Sequence, residues 1–323
     1  MRSLVITLAI AAGSAAAQPP LELVATIPLP NVRGRIDHFA FDVKGQRLFV
    51  AALGNDTVEV LDAAANRHLR SLSGFGEPQG VAYLPESNRL YVANGTANRV
   101  DILDGASLSP LKRIDRLDDA DNVRYDSAAR TVIIGYGRGA LRLLNAESGE
   151  ALGDIRLAGH PESFQLDPAA GRIYVNVPTA QQVAVVDSKK GAVTATWPVR
   201  AARSNFPMAL DAERKRLFIG ARSPAALLVY DTDAGKMVTK VSIGVDTDDL
   251  FYDAQRRRVY VICGEGRVDV LRQDTPDRYM QEASIKTAAR ARTGLFVPDH
   301  GRLYVAAPAE GSSPARVLVF NVR

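Results

Sequence analysis

Apolar residues in this chain come in short runs rich in Val, Ile, Leu and Tyr, each set between Gly, Pro, Asn or Asp clusters. One run is copied seven times, as RLFVA (47–51), RLYVA (89–93), RTVIIG (130–135), RIYVN (172–176), RLFIG (216–220), RVYVI (258–262) and RLYVA (302–306). The starting arginines lie 42, 41, 42, 44, 42 and 44 residues apart. A steady period in the low forties marks each copy as one supersecondary unit that shares its core with its neighbours. Within one period the runs are GVAYL (80–84), RLYVAN (89–94), VDILD (100–104) and LKRIDRL (111–117), separated by turn residues. They predict an antiparallel meander of four strands. The third strand recurs as TVEVLD (57–62), ALRLLN (140–145) and QVAVVD (182–187), among others, and most copies end in Asp or Asn. Those side chains bond to nearby backbone N–H groups and so start the hairpin turn that follows.

Four-stranded units at this period pack radially around a channel and do not stack into a solenoid. The expected fold is therefore all-β: a seven-bladed β-propeller with blades near 36–73, 78–117, 120–157, 161–199, 205–243, 248–286 and 292–323. The last unit lacks a fourth strand, while LELVATIPL (21–29) matches the outer-strand pattern of GEALGDIRL (149–157). Residues 21–29 are expected beside 316–322, closing the ring and covering an edge that would otherwise pair with other chains. Gly-His and Trp-Asp signatures are missing, and the one tryptophan, Trp197, is expected in the core. The phrases RLYVAN and RIYVNV instead resemble the YVTN repeat of YncE-like bacterial propellers. That resemblance implies the fold over nearly the whole chain and carries little about function.

Composition narrows the setting. Arg2, the apolar LVITLAIAA (4–12) and Ala15-Ala16-Ala17 read as a secretory leader cut near Ala17, giving a periplasmic or secreted chain without a membrane span. Cys263 is the sole cysteine, so no internal disulfide forms, and it is expected to be a core hydrophobe. The formal charge of +4 comes from 40 basic and 36 acidic residues, interspersed without a basic run. Nucleic acid, which needs a clustered basic stripe, is not an expected partner. The chain is read as a monomer whose partner is a small molecule or a protein of the cell envelope.

Candidate chemistry lies where the repetition stops. The segments before each first strand are RIDH (35–38), GEPQ (76–79), DDADN (118–122), GHPES (159–163), ARSNFP (202–207), VDTDD (245–249) and ARARTG (289–294). A purely structural turn would recur in similar form seven times, and these do not. In a propeller they surround one channel mouth, where a rigid scaffold holds binding residues. The candidate ligand-binding residues are Arg35, Asp37, His38, Glu77, Gln79, Asp121, Asn122, His160, Glu162, Arg203, Asn205, Asp248, Asp249, Arg290 and Arg292. Ser163, Arg138 and Arg222 fall on the same face, while His68 and His300 fall in turns opposite it and are expected to be plain surface residues.

Two functions compete. One is a binding module for a small acidic ligand, held by arginine forks, or for a cell-envelope partner. The alternative is a hydrolase, lactonase or lyase with His38 or His160 as general base, Glu77, Asp121 or Glu162 as acid and Arg292 or Arg203 stabilising a developing oxyanion or enolate. His38, Glu77, Asp121, His160 and Glu162 are also ligand types for a divalent metal, the one cofactor considered. They lack HExxH spacing and would have to converge from separate blades. Gly135–Gly139 joins two strands with no helix following, so it is read as a hairpin loop and not as a phosphate cradle. There is no CxxCH haem site and no GxSxG elbow.

Overall fold

The computed structural model describes residues 18–323, which form seven four-stranded antiparallel sheets. The expected leader, residues 1–17, lies outside the described residues. Blade 1 runs outward from the channel through Phe39–Asp42, Arg47–Ala52, Thr57–Asp62 and Arg67–Ser73, and blades 2 to 6 repeat that order. Blade 7 holds Gly294–Val297, Arg302–Ala307 and Arg316–Val322, with Leu21–Pro28 as its outer strand. The closing pair runs from Leu21 opposite Val322 to Pro28 opposite Arg316, as the sequence predicts. Leu21 is buried against blades 6 and 7, and Ile27 and Leu29 against blades 7 and 1, so the strand seals two junctions. Apart from three short 3-10 turns, the described residues contain no helix, and none is long and apolar enough to cross a membrane.

The ring is held by aromatic contacts that recur from blade to blade. The third residue of the repeated phrase is Phe49, Tyr91, Tyr174, Phe218, Tyr260 or Tyr304, each at most 1% exposed. Phe49 stacks on Tyr83 of the next blade, Phe218 packs on Tyr252, Tyr260 on Phe296, and Tyr304 on Phe41 across the closure. Trp197 sits in the core between Tyr174 and Tyr230, and Cys263 is fully buried, its thiol pushed up to about 12 by burial. Such rings each bury roughly 150–250 Å² and dominate the packing energy.

One copy of the phrase is displaced by a residue. Blade 3's second strand is Thr131–Tyr136, with Thr131 opposite Asn145 just as Arg89 is opposite Asp104. Arg130 lies before the strand with φ 51°, equivalent to Gln46, Asn88, Gly171, Lys215, Arg257 and Gly301, all at positive φ. The left-handed turn residue is the invariant element of the hairpin, and in blade 3 an arginine occupies it. The equivalent of Tyr91 in blade 3 is therefore Ile133. The expected aspartate turns also form: Asp62, Asp104, Asn145, Asp187 and Asp231 each accept backbone N–H groups two and three residues on.

Candidate functional site

Blades 1, 3, 4 and 6 bring one compact cluster together at the channel mouth. The strap before blade 1 is fixed by backbone bonds, Asp37 N to Ala51 O (2.7 Å) and His38 N to Gln79 O (3.3 Å). This aims His38 inward. Its Nδ1 lies 3.4 Å from Asp249 Oδ1, and its Nε2 lies 3.6 Å from Asp37 Oδ1 and 4.0 Å from Asp121 Oδ1. His160 Nδ1 is 2.6 Å from the Gly137 carbonyl, which accepts its proton, and Nε2 faces Asp121 Oδ2 at 3.9 Å. Asp121 thus stands between two imidazoles. Glu162, beside His160 in sequence, completes the group.

Charge state follows from these neighbours. Burial opposes protonation of His38, but Asp249 and Asp37 outweigh it and raise its pKa to about 10. Burial also opposes protonation of His160, but Asp121 and the Gly137 carbonyl raise it to about 9. Near neutral pH these neighbours favour the imidazolium form of both. Burial disfavours the charged form of Asp121, yet His160, His38 and Arg35 hold its carboxyl below the usual range. Glu162 goes the other way: burial first, then the like charge of Asp121, push it up to about 8.

The arginines of the mouth are already engaged. Arg292 places Nη1 2.9 Å and 3.2 Å from the two oxygens of Asp246, and Nε 2.9 Å from Asp248 Oδ2. Arg222 bonds Asp248, donates Nε to the Thr247 carbonyl at 2.9 Å and lies over the Phe206 ring. Arg35 is 2.8 Å from Asp37 and 3.7 Å from Asp248. Three guanidinium groups therefore face Asp37, Asp246 and Asp248, and an incoming anion would have to displace an aspartate to reach them.

Other candidates lie apart from this cluster. Arg203 and Arg290 are exposed on the rim, as is Arg138. Gln79 donates to Asp119 at 3.2 Å, and Glu77 takes a left-handed φ of 49° with its N–H on Asp56. Asn205 is a clasp between blades 4 and 5, donating to Asn176 Oδ1 and to the Gln182 carbonyl. Asn122 is buried beside Asp121 with Oδ1 unpartnered. Ser163 accepts from Arg124 at 3.4 Å. Among the described residues no three His, Cys, Asp or Glu side chains are grouped so as to hold one metal ion. His68 is not a plain surface residue: it lies in a strand, half-buried, with Nε2 2.7 Å from the fully buried Glu59. His300 packs edge-on against Phe41 and contacts Gln46.

The mouth opens into a cavity of about 320 Å³, lined in part by His38, Asp249, Gln165 and Arg124. Arg124 was not among the expected residues. Strand pairing shows why it is unusual. The first-strand residue opposite the third residue of the repeated phrase is Ala40, Ala82, Arg124, Gln165, Ala209, Phe251 or Leu295. Six blades place a neutral side chain there and blade 3 places a guanidinium. It donates to the Val123 carbonyl (2.9 Å) and to Ser163 Oγ, and it lies over the Phe164 ring. No carboxylate pairs with it among the described residues, and burial lowers its pKa. The signal was present in the sequence as the odd residue of seven equivalent positions, but the one-residue displacement of blade 3 hid it.

No protein-family model matches the chain, and no curated protein matches it. Among solved structures, a chain of Kuenenia stuttgartiensis hydrazine synthase aligns with a TM-score of 0.77 at 16% identity, covering 91% of this chain and 98% of that one. A chain of the mitotic checkpoint complex aligns with a TM-score of 0.80 at 13% identity, covering 100% and 99%. In all, 1811 chains match, a spread that ties the shape to no single activity. At these identities the likeness establishes the architecture alone: this chain is a seven-bladed β-propeller.

Proposed function

We propose that the protein is a small-molecule binding module, with its ligand seated at the channel mouth between blades 1, 3, 4 and 6. A propeller is suited to binding because its strands are rigid and its loops are free to diverge. The observation that carries the reading is a set of buried carboxyl groups whose hydrogen bonding is incomplete. Asp37 Oδ1 is buried without a hydrogen-bond partner, and Asp37 Oδ2 and Asp248 Oδ2 meet only poorly aligned guanidinium groups, Arg35 at 2.8 Å and Arg292 at 2.9 Å. Glu162 faces like charge from Asp121 and Asp248 and makes no ion pair among the described residues. Each unsatisfied buried acceptor costs about 1–3 kcal/mol. A ligand bearing hydroxyl or ammonium groups supplies the missing donors.

A thermal-shift screen of polyols, amines and hydroxylated acids tests this, because a ligand of the native state must raise the melting temperature. Glu162→Gln and His160→Ala should remove the shift, and His68→Ala should keep it. Equal loss in all three variants, or no shift with any probe, would overturn the reading and favour a protein partner. The repeat phrases support a place among the YVTN-repeat propellers. The leader-like residues 1–17 support export to the periplasm or beyond, which fractionation of cells expressing the full chain tests.

A second reading has one observation of its own, the poised proton on Glu162 between two imidazolium groups. In a hydrolase, lactonase or lyase at this mouth, Glu162 would give and take the proton, and the histidines would stabilise developing negative charge. Turnover of a lactone panel, abolished by Glu162→Gln and changing with pH near 8, is the expected result. A divalent metal here would require both imidazoles to lose a proton, and elemental analysis of the purified protein decides it.

A further inference from the structure

We infer that Arg124 anchors a carboxylate inside the channel, so that the ligand proposed for the mouth is a small acid carrying hydroxyl or amino groups. The inference rests on the mouth reading for the donor end of that ligand, and on Arg124 alone for its acid end. Guanidinium groups have five N–H donors in a planar fork that matches a carboxylate. Two of them are used here, both on neutral oxygens, the Val123 carbonyl and Ser163 Oγ. A half-buried cation on a cavity wall favours a counter-charge, and no carboxylate pairs directly with this one among the described residues, Asp249 and Asp121 acting on it only at longer range. The Phe164 ring at 5.5 Å offers a cation–π contact, which eases desolvation without supplying an opposite charge.

Space and charge agree with a small monoanion. Ala40, Ala82 and Gly80 line the same cavity as Arg124, and their lack of bulk leaves its volume of about 320 Å³ open. That volume lies at the small end of ligand cavities. His38 and Asp249 line it as well, so a molecule held by Arg124 reaches the mouth without leaving the cavity. Asp249 is already satisfied by the Gly294 N–H at 2.9 Å and by His38, and it does not compete for Arg124. A dianion such as phosphate or sulfate is disfavoured, since one guanidinium would balance only half its charge beside Asp249 and Asp121.

The matched probes are propionate, glycerate and glycerol, titrated calorimetrically into the full-length protein. Propionate and glycerate should bind, glycerate more tightly. Arg124→Gln should weaken both about tenfold or more, the loss of a charge-assisted pair, and leave glycerol unchanged. Arg124→Lys keeps the charge and loses the fork, and should fall between. It also carries the test should Arg124→Gln fail to fold. Glu162→Gln should weaken glycerate and glycerol and spare propionate. If propionate does not bind, or if both acids bind the Arg124 variants as they bind the wild type, the carboxylate anchor is overturned while the mouth reading stands. If glycerate and glycerol are indifferent to Glu162, the mouth reading fails, and propionate's dependence on Arg124 still decides the anchor.

Discussion

The second strands and the channel mouth are both buried, yet they are compensated in opposite ways. Along the second strands, Phe49, Tyr91, Tyr174, Phe218, Tyr260 and Tyr304 repeat one solution: a ring packed against the neighbouring blade. At the mouth, Asp37, Asp121 and Asp249 are 1%, 6% and 9% exposed, and they meet His38, His160 and Glu162 in an arrangement that does not repeat around the ring. Burying a ring gains area and dispersion, whereas burying a carboxylate gains only what its partners return. Here the return is incomplete, since Asp37 Oδ1 keeps no hydrogen-bond partner and Glu162 is held against like charge. A stability-neutral mouth would have repeated like the strands. Its incompletely compensated charge is what the proposed binding role would require.

The sharpest way to break that comparison is to open the ring. A chain starting at Asn31 lacks the strand Leu21–Pro28, which uncovers Arg316–Val322 and removes Leu21, Ile27 and Leu29 from two blade junctions. It should lose cooperative unfolding and aggregate through the exposed edge. Melting and light scattering against a chain starting at Gln18 measure this. Equal melting would show that closure does not depend on this strand. A smaller blow falls on a single ring: Phe218→Ala should cost about 3–5 kcal/mol in urea unfolding, as large aromatic truncations do. Ile133→Val, at the equivalent place in blade 3, should cost only about 0.5–1.5 kcal/mol.

Fold and site were legible to different degrees for a physical reason. Packing between blades is the same problem solved seven times, six of them with an aromatic ring, so the strand phrases and the missing outer strand could be read directly. The divergent segments pointed to one face, and the structure brings His38, Asp121, His160, Glu162, Asp248, Asp249 and Arg292 together on it. Which charges pair across the channel depends on blades far apart in sequence, and spacing carries no trace of it. Hence Arg35 and Arg292, expected as open anion forks, are found on aspartates, and Asp246, which holds Arg292 together with Asp248, was passed over. Arg203 and Asn205 share a segment yet separate, one to the rim and one to an interblade clasp. Arg124 was missed because a strand residue that alternates normally looks structural until its six equivalents are set beside it.

The smallest expected effect is also the most specific to the mouth. Glu162 has its pKa raised in the folded protein from an ordinary 4.5 to about 8. The folded state therefore binds this proton more tightly than the unfolded chain does. Its stabilisation is complete below about pH 4.5 and is lost as pH rises through about 8. His38 and His160, also raised, lose their contributions between about pH 6.5 and 9 to 10. The wild type should thus weaken steadily from pH 5 to 8. Glu162→Gln keeps the shape and removes the titration, so its stability should fall less over that range, and it should exceed the wild type at pH 8. The side chain is partly open to solvent, which screens the effect to a few degrees of melting temperature. Parallel pH profiles for the two proteins would mean that Glu162 is solvated like any surface carboxylate, and the contrast between strand and mouth would lose its clearest case.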